Sequence, residues 1–165
     1  MLKSFSVLCA LLAIPSRFGA AQAVVRVEPA NLQGPRTLQD QTGIAAIRDY
    51  LQSWQSFKTA FETNRADMLD PAFVGTARDK LTETIHQQAA LGIHTRYQDL
   101  AHDLQIVFYS PEGLSIELTD KIEYDVGIVD RDTVKTTQRM HARFMVVLTP
   151  AEARWRVRVF QSMPE

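Results

Sequence analysis

The chain has 165 residues, of which 45% are hydrophobic and 22% are charged, and its formal net charge at pH 7 is −1. This size and balance fit one globular domain and exclude a disordered or fibrous chain. The charge lacks the basic footprint of nucleic-acid-binding proteins, so we expect no nucleic-acid partner. The histidines His86, His94, His102 and His141 are scattered without metal-ligand spacing, and there is no glycine-rich phosphate loop. We therefore predict no metal site and no cofactor.

The N-terminus has the pattern of a secretory signal peptide. Lys3 supplies a short positive region, residues 5–14 form an apolar run, and residues 21–23 (Ala-Gln-Ala) fit a small-x-small cleavage site. The pattern predicts a signal peptide over 1–23 and an exported protein, periplasmic or secreted, with no transmembrane anchor after processing. A retained N-terminal anchor is the alternative. Cleavage would also remove Cys9, the one cysteine, and leave a mature chain without disulfides.

Residues 24–40 have the composition of a flexible tether. They contain Pro29, Gly34 and Pro35 and show no sustained periodicity. The alternation at Val25 and Val27 leaves open a short edge strand, which Pro29 would limit.

A long amphipathic helix follows. Its apolar positions recur every three or four residues, at Ile44, Ile47, Leu51, Trp54, Phe57 and Phe61. Asp40 or Thr42 can serve as its N-cap, and the helix is predicted to continue to about Asn64. Each large side chain on this stripe would contribute roughly 1.5–3 kcal/mol on full burial, so the rest of the domain must cover it.

A second, thinner helix is predicted over 74–91. The residue before Pro71 is biased away from helix, which separates the two helices. Gly92 suits the C-terminal cap. The apolar positions of this helix are Val74, Ala77, Leu81, Ile85 and Ala89.

From about residue 97 the apolar period changes to two, which predicts an antiparallel sheet. The inward positions are even-numbered along 104–108, 114–128 and 134–148, and residues 155–159 form a last strand. The two central strands have about 15 residues each, or roughly 50 Å, so they must be bent or bulged. Asp120 and Gly127 are the candidate break points.

These elements predict an α+β fold over 41–165, in which a long N-terminal amphipathic helix and a second helix pack on a strongly curved antiparallel sheet to form a cone. Three stretches carry a resemblance over roughly 44–161: Tyr50-Leu51-x-x-Trp54, Asp67-x-Leu69-x-Pro71-x-Phe73-Val74-Gly75 and Arg154-Trp155-Arg156-Val157. The chain resembles the nuclear transport factor 2-like superfamily, a cystatin-like α+β cone. Within this superfamily, the chain resembles either a SnoaL-like branch or the intermembrane-space domain of plastid-division proteins. The residues that carry the second resemblance are Trp54-Gln55-Ser56-x-Lys58.

The resemblance implies that any chemistry takes place inside the cone. Enzymes of this superfamily abstract protons, dehydrate or open epoxides on apolar substrates through a buried Asp with Tyr or His. The nearest constellation here is Tyr97, Asp99, His102 and Asp103. Asp99 or Asp103 would be the base, with His102 or Tyr124 assisting. The alternative is a solvated group at the start of the sheet.

A candidate ligand site follows from the expected strand register. A tight turn at 130–132 would place Tyr124 opposite Gln138 and Val126 opposite Thr136. Tyr124, Thr136 and Gln138 would then converge near the mouth of the cone, over Trp54, as polar groups do in small-ligand sites. The alternative is that they lie beyond the reach of the helix and contact water.

The odd-numbered strand positions predict a charged outer face, with Glu123 directly opposite Arg139. An apolar subset on the same face leaves open a protein-binding surface or a homodimer through the outer sheet. This subset comprises Val107, Tyr109, Met145, Val147 and Phe160.

The leading hypothesis from the sequence is an exported, non-catalytic domain that binds a small apolar ligand or a protein partner in the cell envelope. One alternative is a lyase or isomerase that acts on an apolar small molecule in the cone. Another is a structural homodimerisation module. A buried carboxylate within reach of a tyrosine or histidine would favour the enzyme.

Overall fold

The computed structural model of the protein describes residues 22–164, so the predicted signal peptide up to residue 21, with Cys9, lies outside the described residues. The elements are β1 (Val24–Val27), α1 (Asp40–Thr63), a 3₁₀ helix (Ala66–Leu69), α2 (Gly75–Ala90), β2 (Ile93–Tyr109), β3 (Ile116–Asp130), β4 (Thr133–Pro150) and β5 (Trp155–Met163). The strands form one sheet in the order β1-β2-β3-β4-β5, and the helices cover its inner face. The predicted α+β class is confirmed as an open cone.

Helix α1 confirms the predicted long helix. It ends at Asn64, whose backbone adopts the left-handed conformation (φ 55°) that closes many helices. Gln39 occupies the N-cap position without a side-chain cap, so the capping role predicted for Asp40 or Thr42 is wrong. Asp40 instead lies in the first turn, where a carboxylate favours the positive end of the helix dipole.

The buried face of α1 is rotated from the predicted stripe. Tyr50 and Trp54 are buried, whereas Ile44 is 67% exposed. The first turns of the helix approach β2 closely, and small residues occupy that contact: a Cβ on Gly43 would lie 3.6 Å from Ile106. Close approach thus selects small side chains and turns Ile44 outward.

Helix α2 is confirmed with a different buried face. Ala77 and Ile85 are buried as predicted, but Gln88 is buried in place of Ala89. The Gln88 amide donates to the Phe61 carbonyl at 2.7 Å and accepts a hydrogen bond from the Thr95 hydroxyl at 2.8 Å. A buried polar group with its bonds satisfied is tolerated, which periodicity alone does not reveal.

The segment predicted as a tether is bonded to the sheet. Residues 24–27 form β1, the edge strand left open by the sequence, and pair parallel to β2. Beyond it, the Glu28 amide donates to the Leu104 carbonyl at 2.8 Å and the Asn31 amide to the Ile106 carbonyl at 2.9 Å. The sheet is therefore mixed, with β2 to β5 antiparallel as predicted.

The long strands are bulged, though not at the predicted positions. Register shifts occur between Asp99 and Ala101 and between residues 106 and 108 on β2. Two further shifts leave Lys135 unpaired on β4 and Arg158 unpaired on β5. Asp120 is in regular register, and Gly127 lies just before a shift. Each shift leaves one residue unpaired on one strand and reverses which side chains face inward.

The β3–β4 register differs from the predicted one for this reason. Arg131 and Asp132 form a two-residue turn with φ 47° and 66°, and an additional residue on β4 then shifts the pairing. Tyr124 pairs with Met140 rather than Gln138. Arg139 therefore lies directly opposite Asp125, to which it donates at 2.9 and 3.1 Å, and it reaches Glu123 only diagonally, at 3.3 Å.

The bulges also change which residues lie on the outer face of the sheet. Tyr109 and Phe160 were expected outside, but Tyr109 is buried and Phe160 packs against the core. The unpaired Val107 precedes Tyr109, and Arg158 is unpaired before Phe160, so each aromatic is turned inward. The core itself keeps the predicted even-numbered strand positions Ile116, Leu118, Ile122, Val146 and Leu148.

Candidate functional site

The bulge at Leu100 creates the polar centre of the cone. In a regular strand, residues 99 and 102 would face opposite sides of the sheet. Asp99 pairs with Tyr124 and Ala101 with Glu123, so Leu100 is unpaired and the alternation reverses. Both Asp99 and His102 then point inward and are buried. A local insertion, rather than the periodic pattern, therefore brings the carboxylate and the imidazole together.

His102 lies between two carboxylates. Its Nδ1 is 2.8 Å from Oδ2 of Asp120, and its Nε2 is 3.5 Å from Oδ2 of Asp99. The first contact is a hydrogen bond, and the second is an ion-pair distance. Asp120 is fully buried on β3, so this carboxylate has no access to water.

The network continues in both directions onto α1. The Tyr50 hydroxyl donates to Oδ2 of Asp120 at 2.7 Å, and the Trp54 indole N–H donates to the Tyr50 oxygen at 2.8 Å. At the other end, Lys58 binds Asp99. Tyr50, Trp54 and Lys58 are spaced at intervals of four, which places them along one side of the helix. The helix therefore supplies one side of the polar centre.

The charges of this network balance. Burial lowers the pKa of His102, but the hydrogen bond to Asp120 and the proximity of Asp99 raise it more, to about 9. Burial raises the pKa of Asp99, yet His102 and Lys58 outweigh burial and hold this pKa well below its usual range. His102 is consequently an imidazolium at neutral pH, and it and Lys58 balance the two carboxylates. Burial, followed by the charge of Asp120, raises the pKa of Tyr50, so this phenol stays neutral.

Two polar atoms of the network retain hydrogen-bonding capacity. Among residues 22–164, neither His102 Nε2 nor Asp120 Oδ1 has a hydrogen-bond partner. An imidazolium whose Nε2 proton is not hydrogen-bonded can donate that proton. The strongly acidic Asp99 is a weak base. The arrangement therefore suits proton donation by His102 better than proton abstraction by Asp99.

Asp103 lies on the opposite side of the sheet from this centre. Its Oδ1 is 3.3 Å from Nη1 of Arg26, and its side chain is 36% exposed. Residues 102 and 103 are consecutive in regular register, so their side chains point in opposite directions. Of the predicted catalytic set, the structure thus brings Asp99 and His102 together and separates Asp103 from them.

Aromatic rings surround Trp54 on the inner face of the sheet. Ring centroids of Tyr124, Phe144 and Phe160 lie 6.3, 6.1 and 5.7 Å from that of Trp54. Phe144 and Phe160 stack at 4.5 Å with an interplanar angle of 3°. These three rings are partly buried and pack against the core.

Thr136 and Gln138 do not join this aromatic surface. Both are exposed on the β3–β4 hairpin and pair with Ile128 and Val126. The polar neighbour of Tyr124 is Tyr97 instead, with ring centroids 5.9 Å apart. Burial, with a smaller contribution from Tyr124, raises the pKa of Tyr97 to about 12, so both phenols are neutral hydrogen-bonding groups at pH 7.

Sequence reasoning missed Tyr50, Lys58 and Asp120 as members of the polar centre. One signal was present for Asp120, which occupies an inward, even-numbered position between Leu118 and Ile122. A charged residue at such a position must find buried partners. Tyr50 and Lys58 carried no comparable signal, since polar residues border the apolar stripe of most helices.

Between residues 22 and 164, no group of three or more histidine, cysteine, aspartate or glutamate side chains has the arrangement of a metal site. No helix in this range is long and apolar enough to cross a membrane.

No protein-family model matches the sequence, and no curated protein matches it either. Solved structures do match. The intermembrane space region of the chloroplast protein ARC6 has 16% sequence identity and a TM-score of 0.62, covering 79% of this chain and 100% of that one.

Two bacterial structures also match. A candidate dehydratase of the NTF2-like family from Streptomyces avermitilis has 11% identity and a TM-score of 0.51, covering 73% of this chain and 96% of its own. A candidate scytalone dehydratase from Novosphingobium aromaticivorans has 10% identity and a TM-score of 0.52, covering 76% and 89%. Identities this low show the fold alone, so the predicted nuclear transport factor 2-like cone is confirmed as a fold.

Proposed function

We propose that this chain is an exported domain that binds a small apolar ligand against the aromatic surface formed by Tyr124, Phe144 and Phe160 around Trp54. The observation that carries the proposal is the half-buried set Tyr124, Phe144 and Phe160 around Trp54. Large rings that stay partly exposed favour an additional apolar occupant, because apolar area removed from water is stabilising by roughly 25 cal/mol per Å². The hydroxyls of Tyr97 and Tyr124 would orient it.

Fluorescence of Trp54 provides a direct test. The chain has two tryptophans, so Trp155→Phe leaves Trp54 as the single reporter. Titration with an apolar fluorophore such as N-phenyl-1-naphthylamine should quench Trp54 and saturate. Tyr124→Ala should weaken binding by about tenfold, the effect of roughly 1.4 kcal/mol of lost contact. Thr136→Ala is the matched control, because this exposed hairpin residue lies away from the rings. Equal binding by both variants, or no saturation, would exclude this site.

Acid–base catalysis is the second candidate function, and the buried Asp99–His102 contact favours it. In an elimination, Asp99 would take a proton from the carbon next to a carbonyl. His102 would give its Nε2 proton to the departing hydroxyl, which leaves as water. Against this stands the depressed pKa of Asp99, which makes it a weak base. Asp103 has no part in this scheme, because it faces away from the cone.

Single-residue variants separate the two candidates. His102→Gln should abolish turnover of an apolar β-hydroxy carbonyl compound if the chain is a lyase. If the chain only binds its ligand, the purified wild-type protein should turn over no member of a panel of such compounds. Tyr124→Ala should then weaken ligand binding, whereas His102→Gln should not. Turnover that survives His102→Gln would exclude the proposed proton donor.

Export is part of the proposal and has its own test. The signal-peptide pattern supports it, and the fold is shared with a domain described as an intermembrane space region. The protein recovered from the envelope fraction of its host should begin at Val24, as read by intact mass. A mass that retains residues 1–23 would favour the retained anchor.

A homodimer through the outer sheet face is a separate proposal. With Tyr109 and Phe160 inside the cone, its apolar surface would rest on Val107, Met145 and Val147. Light scattering of the mature protein is the measurement, and a monomeric mass at high concentration would contradict it. A protein partner in place of a small molecule would use the same aromatic surface.

A further inference from the structure

A second charged cluster lies on the outer face of the sheet, independent of the binding surface proposed above. One register row crosses four strands there: Arg26 on β1, Asp103 on β2, Lys121 on β3 and Arg143 on β4. Together with their neighbours, these side chains line a surface concavity of about 460 Å³. Polar and charged side chains thus surround a space large enough for a small anion and its waters.

The carboxylates of this concavity already have partners. Arg26 lies 3.3 Å from Asp103, and Arg139, outside the concavity, lies 3.3 Å from Glu123. Within residues 22–164, neither Lys121 nor Arg143 makes an ion pair. Lys121 and Arg143 therefore have no direct carboxylate contact within this part of the chain, and the lining carries one net positive charge, from Arg26, Lys121 and Arg143 against Asp103 and Glu123.

These two cations are direct cross-strand neighbours. Lys121 on β3 pairs with Arg143 on β4, and both side chains are exposed. Like charges directly opposite each other on a sheet are destabilising. An anion placed between them would convert this repulsion into two attractive contacts.

We propose that Lys121 and Arg143 bind a phosphate group, either free or in a phosphate ester. The planar guanidinium of Arg143 can donate two parallel N–H bonds to phosphate oxygens, and Lys121 contributes a point charge. A phosphate ester carries a charge of about −1.5 to −2 at pH 7 and three acceptor oxygens, so it can contact both cations at once more strongly than a singly charged carboxylate can. His141, exposed two residues before Arg143 on the same strand, provides a further polar group at the rim.

Calorimetric titration with inorganic phosphate at low ionic strength tests the proposal. We expect saturable binding that Lys121→Gln and Arg143→Gln each weaken by about tenfold or more, since charge-assisted hydrogen bonds are lost. Arg96→Gln is the matched control, because Arg96 is an exposed arginine of β2 paired with Glu62 at 2.9 Å. Acetate at the same ionic strength should not displace phosphate.

A second readout keeps the test independent of folding defects. In phosphate-free buffer, Lys121→Gln and Arg143→Gln should not lower the thermal midpoint, because each removes one of two repelling charges. Vesicles of phosphatidylglycerol in phosphatidylcholine distinguish a lipid phosphate from a soluble one. If the wild type co-sediments with the vesicles and the two variants do not, the ligand is a lipid headgroup. If the wild type binds free phosphate but not the vesicles, the ligand is soluble. Absence of saturable binding, equal affinity in all variants, or displacement by acetate would overturn the proposal.

Discussion

Asp120→Asn is the perturbation that most directly tests the polar centre of the cone. Asparagine keeps the shape and one acceptor oxygen of the buried side chain but removes its charge. The pKa of His102 rises from an ordinary value of about 6.5 to about 9, with Asp120 the largest favourable cause. At 1.36 kcal/mol per pKa unit, this shift corresponds to about 3 kcal/mol of folding free energy. Removing one partner of a buried ion pair typically costs about 3–5 kcal/mol, which agrees in size.

The direction of the pH dependence follows from which state holds the proton. The folded protein keeps His102 protonated up to a pKa of about 9, whereas the unfolded chain releases this proton near pH 6.5. The contribution is therefore complete below pH 6.5 and is lost as the pH rises through 9. Between these values the free energy of unfolding should fall by about 1.4 kcal/mol per pH unit. Tyr50 and Tyr97, whose pKa values are raised, affect stability only above about pH 10.

Urea unfolding from pH 6 to pH 10, followed by tryptophan fluorescence, measures this free energy. At pH 6 we expect Asp120→Asn to be about 3 kcal/mol less stable than the wild type, and the difference should narrow towards pH 10. Asp103→Asn is the matched control: this carboxylate is a sequence neighbour of His102 but lies on the outer face, and its loss should cost about 1 kcal/mol or less at every pH. Imidazole resonances observed by NMR provide the pKa of His102 itself.

The reasoning would be refuted by parallel stability profiles. If the wild type and Asp120→Asn lose stability with the same slope between pH 6 and pH 10, Asp120 does not hold the proton of His102. A measured pKa of His102 near 6.5 in the wild type would lead to the same conclusion.

Three further predictions concern other parts of the cone. Tyr50→Phe removes the hydroxyl that donates to Asp120 and leaves the indole N–H of Trp54 without an acceptor. The free energy of unfolding in urea should therefore fall by about 1–3 kcal/mol. An unchanged unfolding midpoint would contradict this hydrogen-bond network. Deletion of Leu100 removes the bulge and turns Asp99 outward. The pKa of the His102 imidazole, measured by NMR, should then fall towards its ordinary value. A pKa equal to that of the wild type would contradict the proposed role of the bulge. Phe144→Ala should destabilise by less than the roughly 3–5 kcal/mol of a fully buried ring, because this ring is partly exposed. A full-sized loss would indicate that the ring belongs to a closed core.

Much of the fold was predictable because it depends on short-range periodicity. Spacings of three and four residues identify α1, and alternation identifies the strands from β2 to β5. Burial of the even-numbered strand positions follows from that alternation, since one face of an antiparallel sheet must be apolar. The edge strand β1 was left open by the sequence, because four residues before a proline carry little pattern.

The candidate site was only half predictable. Asp99, His102 and Asp103 drew attention as one cluster, but the cluster divides across the two faces of the sheet. Asp120 and Tyr50 complete the buried network from elements distant in the sequence. The predicted pairing of Tyr124 with Gln138 is wrong because an additional residue after the hairpin turn shifts the register of β4.

The amino-acid pattern alone determined that a long helix lies on a curved sheet, because apolar periodicity reports which side of each element avoids water. Only the tertiary structure decided which polar side chains meet inside. One unpaired residue at Leu100 reverses the alternation, so Asp99 and His102 face the same way, and strand pairing then brings Asp120 to them. Bulges arise from the packing of a long sheet around a helix, and no periodicity in the chain encodes their positions.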